Sequence, residues 1–260
     1  MKKIAILIGG WHYPIEFYTQ VSNLNKSDYD VRTFVISHRD MDLPIVHQEK
    51  KDILGRIDKQ TDFGKLDHEL YENPLTKKYV KFLGFNLIEA ENLFGDYCFI
   101  NQWLDVHDYK DYDYVCFLHD DTYIADYDLL IDIIEGNCEL YDRKNNKSDE
   151  DWLMIFNSSS PGTTVPRGSF AFFKSEFFDT VENFNFQSDD AYRIDYNRSG
   201  ETKSPENISE LRSWNNITRF LNNIVDVKGI GNKILKLSTE YRTSKYLVEG
   251  ERGFMTKVFS

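Results

Sequence analysis

The sequence contains few cysteines, and their arrangement excludes two classes of structure. There are three in 260 residues, Cys98, Cys116 and Cys138. An odd number cannot form a complete set of disulfides, and the spacing does not match that of a zinc site. We therefore expect reduced thiols that are buried as small hydrophobic side chains.

Long apolar runs are also missing. No stretch approaches the roughly 20 residues that a membrane-spanning helix needs. At the N-terminus, Met1-Lys2-Lys3 precedes only five apolar residues, Ile4 to Ile8, before the chain reaches Gly9-Gly10. Such a run is shorter than the apolar core of a signal peptide. The sequence therefore predicts a cytoplasmic protein.

An excess of basic residues is absent as well. The chain has 31 Lys and Arg against 43 Asp and Glu, a formal charge of −12. Non-specific nucleic-acid binding needs a basic surface, so the charge argues against that class of protein. The basic residues available for anion recognition are concentrated near the C-terminus, and for most of them a solvated surface is the simpler interpretation. They are Lys228, Lys233, Lys236, Arg242, Lys245 and Arg252.

The pattern of apolar residues predicts an α/β fold. Hydrophobic residues make up 41% of the chain and aromatic residues 15%, which suffices for a sizeable core in one domain or in one domain with an appended lobe. A helical segment at 18–24 lies between apolar runs at 3–8 and 29–37, the β-α-β order of a parallel sheet. Three further apolar runs predict buried strands at 113–118, 152–156 and 168–173.

Helical periodicity lies between and after these strands. Apolar residues repeat with helical spacing over 85–106, with a break near Gly95-Asp96, and again over 126–134. In the last third of the chain, Ser204-Pro205 is typical of a helix start. We therefore predict a single Rossmann-like, mostly parallel sheet flanked by helices in residues 1–203. The remainder, 204–260, is predicted to be a C-terminal helical extension packed on the same domain.

Two adjacent carboxylates follow one of the predicted strands. The run Val115 to Leu118 is continuously apolar, as in a strand buried on both faces, and His119-Asp120-Asp121 comes directly after it. Ligands of open α/β sheets bind beyond the carboxyl ends of such strands. Carboxylates suit Mg²⁺ or Mn²⁺, which complete their shells with water and substrate phosphates. The alternative is that the acidic pair only caps the helix predicted at 126–134.

The order of these features resembles that of the nucleotide-sugar-dependent glycosyltransferases of the A-type fold, over roughly residues 3–196. In that family a strand ends in a three-residue acidic motif whose last Asp binds Mn²⁺ or Mg²⁺, and the cation holds the diphosphate of the sugar donor. The resemblance implies that Asp121 is the principal metal ligand. It makes Asp120 a supporting ligand, through water or to the donor's ribose. His119 stands where the family usually has Asp, and its role stays open.

A second acidic pair, Asp189-Asp190, lies where family members that invert the sugar's stereochemistry carry the catalytic base. The resemblance implies that Asp190 is the base, with Asp189 as the second candidate. An Asp-rich surface turn is the alternative interpretation of the pair. Between the two acidic motifs, Arg167-Gly168-Ser169 resembles the segment that lines the sugar and acceptor pocket.

The nucleotide is expected at the ends of the first two strands. Gly9 would allow a ligand to approach the backbone closely, and Trp11 offers a flat ring for stacking on a base, although core packing is the competing interpretation of Trp11. Arg39 follows the second strand at the same edge. The C-terminal Arg242 and Lys245 are expected to fold over the donor and bind its phosphate oxygens.

The resemblance implies a metal-dependent glycosyltransferase that uses Mn²⁺ or Mg²⁺. It would move a sugar from a nucleotide-sugar donor, with a UDP-sugar favoured, to a glycan or another hydroxyl acceptor, and invert it with an Asp base. A nucleotidyltransferase acting on sugar phosphates is one alternative, but it needs a basic, Gly-rich loop after the first strand, and Gly9 to Pro14 contain no Lys or Arg. A non-catalytic binding module with the same fold is the other. The oligomeric state is left open.

Overall fold

The computed structural model of the chain describes residues 1–10, 29–37, 41, 76–90, 98–119, 122–124, 128–137, 152–156, 170–181, 229–237 and 247–249. Short 3₁₀ turns lie at Tyr109–Asp111 and Gly231–Lys233. In chain order the strands and helices are β1 Lys2–Gly10, β2 Tyr29–Ser37, α1 Lys77–Phe82, β3 Asn86–Glu89, α2 Cys98–Leu104, β4 Tyr114–His119, β5 Thr122–Ile124, α3 Asp128–Glu135, β6 Met154–Phe156, β7 Phe170–Lys174, α4 Glu176–Val181, β8 Ile234–Lys236 and β9 Leu247–Glu249.

Seven of these strands form one mixed sheet in the order β3-β2-β1-β4-β7-β6-β8. Neighbours among β3, β2, β1 and β4 are parallel, β7 is antiparallel to both β4 and β6, and β8 is parallel to β6. All strands except β7 therefore end at the same side of the sheet, called here the carboxyl edge. The opposite side is the amino edge.

The order of strands contains a topological switch point. From β1 the chain passes outward to β2 and then β3, and it returns to form β4 on the other side of β1. The switch point therefore lies between β1 and β4. In open α/β sheets, the connections diverge at such a point and leave a crevice beyond the strand ends.

Helices cover both faces of this sheet. On one face, Val80 of α1 and the α3 residues Leu130 and Ile133 pack on the strands. On the other face the covering helices are α2 and α4, with Trp103 and Phe177 fully buried. Strands enclosed on both sides are apolar at successive positions, which explains why β1 and β4 have continuous rather than alternating apolar sequences.

The amino edge is held together by hydrogen bonds between strand ends. The backbone N–H of Lys3 donates to Oδ2 of Asp113 at 2.7 Å, and the N–H of Asp113 donates to the carbonyl of Lys3 at 2.9 Å. Ser175, just after β7, donates its N–H to the carbonyl of Asp113 at 3.1 Å. Its hydroxyl donates to the carbonyl of Tyr112 at 2.6 Å. These contacts fix β1, β4 and β7 to one another at the end away from the predicted ligand.

Much of the predicted architecture is confirmed. The sheet is mostly parallel and flanked by helices, as expected. The five predicted strands correspond to β1, β2, β4, β6 and β7, and the helix predicted at 126–134 corresponds to α3. Cys116 is a free, buried cysteine, as expected for a reduced thiol in the core. Cys138 and the side chain of Cys98 lie outside the described residues.

The first part of the helix predicted over 85–106 is wrong. Asn86–Glu89 forms β3, an outer strand of the sheet, and among the described residues of this range the helix is Cys98–Leu104. Over four residues, the apolar positions do not distinguish a short strand from a helix. Gly84, with φ of 74°, ends α1 just before β3 and lets Phe85 donate its N–H back to the carbonyl of Val80 at 3.1 Å.

The described residues of the predicted C-terminal extension, 229–237 and 247–249, contain two strands and the short 3₁₀ turn. Ile234–Lys236 forms β8, which pairs with β6 and completes the main sheet. Leu247–Glu249 forms β9, which belongs to a second, two-stranded sheet with β5. The amphipathic helix predicted after Ser204-Pro205 lies outside the described residues, and the division at 203/204 stays a prediction. Within the described ranges, no helix is both long enough and apolar enough to span a bilayer.

Truncating the centre of the aromatic core should cost much stability. Phe172 is fully buried and stacks on Tyr114, with ring centroids 5.5 Å apart, and on Trp152 at 5.8 Å. We expect Phe172→Ala to lower the free energy of unfolding by about 3–5 kcal/mol. Phe82→Ala is the matched control, because its ring is 80% exposed, and it should change stability by less than about 0.5 kcal/mol. Urea unfolding of both variants measures this; equal effects would contradict the assigned core.

Stability should fall as the pH drops below about 6.5, and His107 should contribute to that fall. Its ring lies 4.6 Å from Phe34 and 5.7 Å from Trp103, and burial lowers its pKa while Asp111 partly opposes the shift. The folded chain thus binds this proton less readily than the unfolded chain, so protonation favours unfolding. Urea midpoints from pH 5 to pH 8 should show a shallower pH dependence for His107→Phe than for the wild type. An unchanged slope would contradict the assignment.

Candidate active site

The carboxyl edge brings together the ends of the strands that precede the predicted site residues. In the paired register, Gly9 of β1 faces His119 of β4 on one side and Ile36 of β2 on the other. Phe170, the first residue of β7, is the partner of Leu118. Neighbouring strands lie about 4.8 Å apart, so the edge from β2 to β7 is about 14 Å long. This length offers room for an extended ligand across the switch point.

Several predicted residues are attached directly to this edge. Trp11 follows the last residue of β1, Arg39 comes two residues after β2, and Asp120 follows His119 at the end of β4. The segment Arg167-Gly168-Ser169 immediately precedes β7 and so enters at the same edge. Successive Cα atoms are about 3.8 Å apart, so connectivity alone keeps these residues near the switch point.

The position of Gly9 has a structural explanation that needs no ligand. A Cβ atom built on Gly9 would overlap the Phe99 ring and lie 2.8 Å from its Cε2 atom. Phe99 belongs to α2 and is buried, and its ring also stacks on Phe117 of β4. Glycine at position 9 therefore lets α2 approach the sheet at the switch point. Whether Gly9 also contacts a nucleotide stays a prediction.

The end of β2 is anchored at the same edge. Ser37 is fully buried, and its carbonyl accepts a hydrogen bond from the N–H of Ala90 at 3.0 Å. On the opposite strand, Glu89 of β3 is the register partner of Ser37 and its carboxylate forms an ion pair with Lys77 at 3.0 Å. The chain therefore leaves β2 towards Arg39 from a fixed point.

The acidic pair is a two-residue connection between two sheets. His119 ends β4 in the main sheet, and Thr122 begins β5, which pairs antiparallel with β9. In this pairing Thr122 faces Glu249, Tyr123 faces Val248 and Ile124 faces Leu247. The C-terminal segment thus lies beside the strand that follows the carboxylates.

For most of the predicted site residues, the structure gives no position of their own. Trp11, Arg39, Asp120, Asp121, Asp189, Asp190, Arg242 and Lys245 lie outside the described residues, as does the side chain of His119. Asp189 and Asp190 come well after the end of α4 at Val181, so connectivity does not place them at the edge. Their roles therefore stay predictions.

The donor chemistry of the connection fits a hard divalent cation. Two successive carboxylates follow a strand end at the switch point, and Mg²⁺ or Mn²⁺ prefers such oxygen ligands. Among the residues whose positions the structure gives, there is no group of three or more His, Cys, Asp and Glu side chains that could hold a metal ion. Asp120 and Asp121 stay the predicted ligands at this edge.

Two groups whose pKa values are shifted, Cys116 and Tyr109, support the fold. Cys116 is wholly buried in β4, and burial raises the pKa of its thiol far above the usual value. It therefore stays protonated and is not a nucleophile. Near the amino edge, a hydrogen bond to Asp179 raises the pKa of Tyr109 to about 12. This pair joins the turn before β4 to α4.

Two features of this edge were missed from the sequence. One is Phe99, whose close contact explains Gly9, and the other is β9, whose partner β5 is more than 120 residues away along the chain. Leu247-Val248-Glu249 has two apolar residues and one charged residue, and a segment of this length is too short to predict a strand. Only the three-dimensional pairing identifies it as a neighbour of the acidic connection.

Several solved structures are remotely similar to this chain. No family model matches the chain, and no curated protein matches it significantly in sequence. One similar structure is glucosyl-3-phosphoglycerate synthase from Mycobacterium tuberculosis in complex with phosphoglyceric acid, with a TM-score of 0.48, 9% identity, and coverage of 90% of this chain and 69% of that chain. Staphylococcus aureus TarS gives a TM-score of 0.43 and 11% identity, with 96% and 37% covered. The glycosyltransferase GlyE of Streptococcus pneumoniae TIGR4 gives 0.42 and 13%, with 93% and 47% covered.

A substitution at Gly9 tests whether the contact with Phe99 requires glycine at this position. We expect Gly9→Ala to destabilise the protein by about 1–3 kcal/mol, because the added methyl group collides with the Phe99 ring. In a double-mutant cycle, Phe99→Leu should recover part of this loss by removing ring atoms from the collision. Urea unfolding of the two single variants and the double variant measures the coupling. Additive effects would show that Phe99 is not the reason for glycine at this position.

Proposed function

We propose that the protein is a metal-dependent glycosyltransferase that uses a nucleotide-sugar donor, with a UDP-sugar favoured. One observation carries the proposal: β4 pairs with β1 at the topological switch point and runs directly into Asp120-Asp121. Crevices at such switch points are where open α/β sheets bind their ligands. An acidic pair at this place favours the metal site over the alternative of a simple helix cap.

The metal, Mn²⁺ or Mg²⁺, would supply positive charge that stabilises the diphosphate as it leaves the sugar. Asp121 is the proposed ligand, and Asp120 supports it through water or binds the donor's ribose. Both residues are bonded to strand ends that the two sheets hold in place.

Residues along the rest of the carboxyl edge would hold the donor. Trp11 follows β1 and is proposed to stack on the base, and Arg39 follows β2 and is proposed to contact the nucleotide. Arg242 and Lys245 precede β9 and are proposed to donate charge-assisted hydrogen bonds to phosphate oxygens. The β5–β9 register sets Leu247, which these residues precede, opposite Ile124 at the end of β5 away from Asp121, so the proposal for Arg242 and Lys245 rests on their charge.

The transfer step needs a base for the acceptor hydroxyl. In an inverting reaction the acceptor oxygen attacks C1 of the sugar, the bond from C1 to the diphosphate breaks, and a carboxylate takes the acceptor's proton. Asp190 is the proposed base, with Asp189 as the second candidate. The segment Arg167-Gly168-Ser169 would line the acceptor side, because it enters β7 beside β4. The acceptor is proposed to be a glycan or another hydroxyl compound.

The two alternative functions make different demands on the same edge. A nucleotidyltransferase would need a basic loop after β1, and residues 9–14 carry no Lys or Arg. A non-catalytic binding module would retain donor binding without turnover. Slow hydrolysis of a nucleotide sugar by the purified protein separates it from the proposed transferase, because only an enzyme releases the nucleoside diphosphate.

Removing the principal metal ligand should abolish cation-dependent nucleotide binding. We expect Asp121→Ala to weaken binding of UDP in the presence of Mn²⁺ at least tenfold, or about 1.4 kcal/mol, because the cation no longer links the diphosphate to the protein. The wild type without Mn²⁺ should show a similar loss. Isothermal titration calorimetry measures both.

The matched control for this experiment is Asp105→Ala. Asp105 is also acidic, but it is exposed at the C-terminal end of α2 and outside the proposed site. It should bind UDP and Mn²⁺ like the wild type. If Asp121→Ala binds as tightly as the wild type when Mn²⁺ is present, the proposed metal site is wrong.

A further inference from the structure

The small sheet formed by β5 and β9 begins at the residue that follows the acidic pair. β5 is only three residues long, and within the described ranges β9 is the strand with which it pairs. Thr122, the first residue of β5, faces Glu249, the last residue of β9. The C-terminal strand therefore meets the chain at the residue directly after Asp121.

The two carboxylates are tethered at both ends. The Cα atom of Asp120 lies one peptide unit, about 3.8 Å, from that of His119, and Asp121 lies at the same distance from Thr122. His119 is fixed by its pairing with Gly9 in the main sheet. Thr122 is fixed by its pairing with β9. The connection between these two fixed strand ends is two residues long, and one of the ends is held by β9.

We propose that β9 is a positioning strand for the cation and nucleotide site, and that the affinity of this site depends on the β5–β9 pairing. The proposal rests on the proposed function and extends it to a segment remote in sequence. A three-residue strand without a partner is not stable in water, so β5 would lose its fixed conformation if β9 left it. The acidic connection would then have to be ordered at the moment of binding, and this cost lowers affinity.

The same coupling has a consequence that can be observed without turnover. If the pairing increases affinity for the cation and nucleotide, then binding of those ligands must stabilise the pairing to the same extent. Backbone amides of Leu247–Glu249 and Thr122–Ile124 should exchange hydrogen more slowly when UDP and Mn²⁺ are bound. A strand that packs near the site without positioning it would show no such change.

The experiment compares two double variants with the wild type. Hydrogen bonds alternate along an antiparallel strand, so one of two successive N–H groups faces the partner. Leu247→Pro with Val248→Pro removes both N–H groups and disrupts the pairing. Leu247→Ile with Val248→Thr is the control, because it retains both N–H groups and residues suited to a strand. Calorimetry with UDP and Mn²⁺ gives affinity, and hydrogen exchange of β1 and β4 reports whether the main sheet is intact.

We expect the proline variant to bind UDP and Mn²⁺ at least tenfold more weakly than the wild type, with unchanged exchange in β1 and β4, and the control variant to bind within threefold. Wild-type affinity in the proline variant would overturn the positioning role of β9 and leave the proposed function intact. Faster hydrogen exchange in β1 and β4 of the proline variant would also overturn the positioning role, because β9 would then stabilise the whole fold. If the wild type itself does not bind UDP with Mn²⁺, the proposed function fails together with this inference.

Discussion

The parallel pairing of β1 with β4 is the constraint on which the rest of the structure depends. It joins two strands that are buried on both faces at the centre of the main sheet, and it sets Gly9 opposite His119. The chain reverses its direction of winding between these strands, and open α/β sheets bind their ligands beyond the strand ends at such a point. The same register sets the end of β1 beside the end of β4, which Asp120-Asp121 follow in sequence.

The two edges of the sheet divide structural and chemical roles. At the amino edge, Asp113 and Ser175 link strand ends through hydrogen bonds, and aromatic rings around Trp103 fill the space under α2. At the carboxyl edge, Phe99 presses against Gly9 and leaves no room for a side chain there. A rigid amino edge and a close-packed switch point support residues that follow the strands, which is how a scaffold positions a site on its loops.

The sequence predicts the inner strands well because burial leaves a clear signal. β1, β2, β4, β6 and β7 are enclosed by helices, so each is an apolar run that a single sequence reveals. β3 and β8 are short outer strands of four and three residues, and their patterns are too brief to separate from helix or loop. The contact of Gly9 with Phe99 and the pairing of β5 with β9 join distant segments, and no local pattern records such contacts.

The central claim is that a divalent cation and a nucleoside diphosphate bind at the switch point on the carboxyl edge. Paramagnetic broadening by Mn²⁺ in an amide NMR spectrum tests it directly, because the effect falls steeply with distance from the ion. With UDP present, Mn²⁺ should strongly broaden the amide signals of Gly9, Ser37 and His119 and have little effect on those of Lys3 and Tyr114 at the amino edge. Broadening that is strongest at the amino edge, or no broadening in either place, would contradict it.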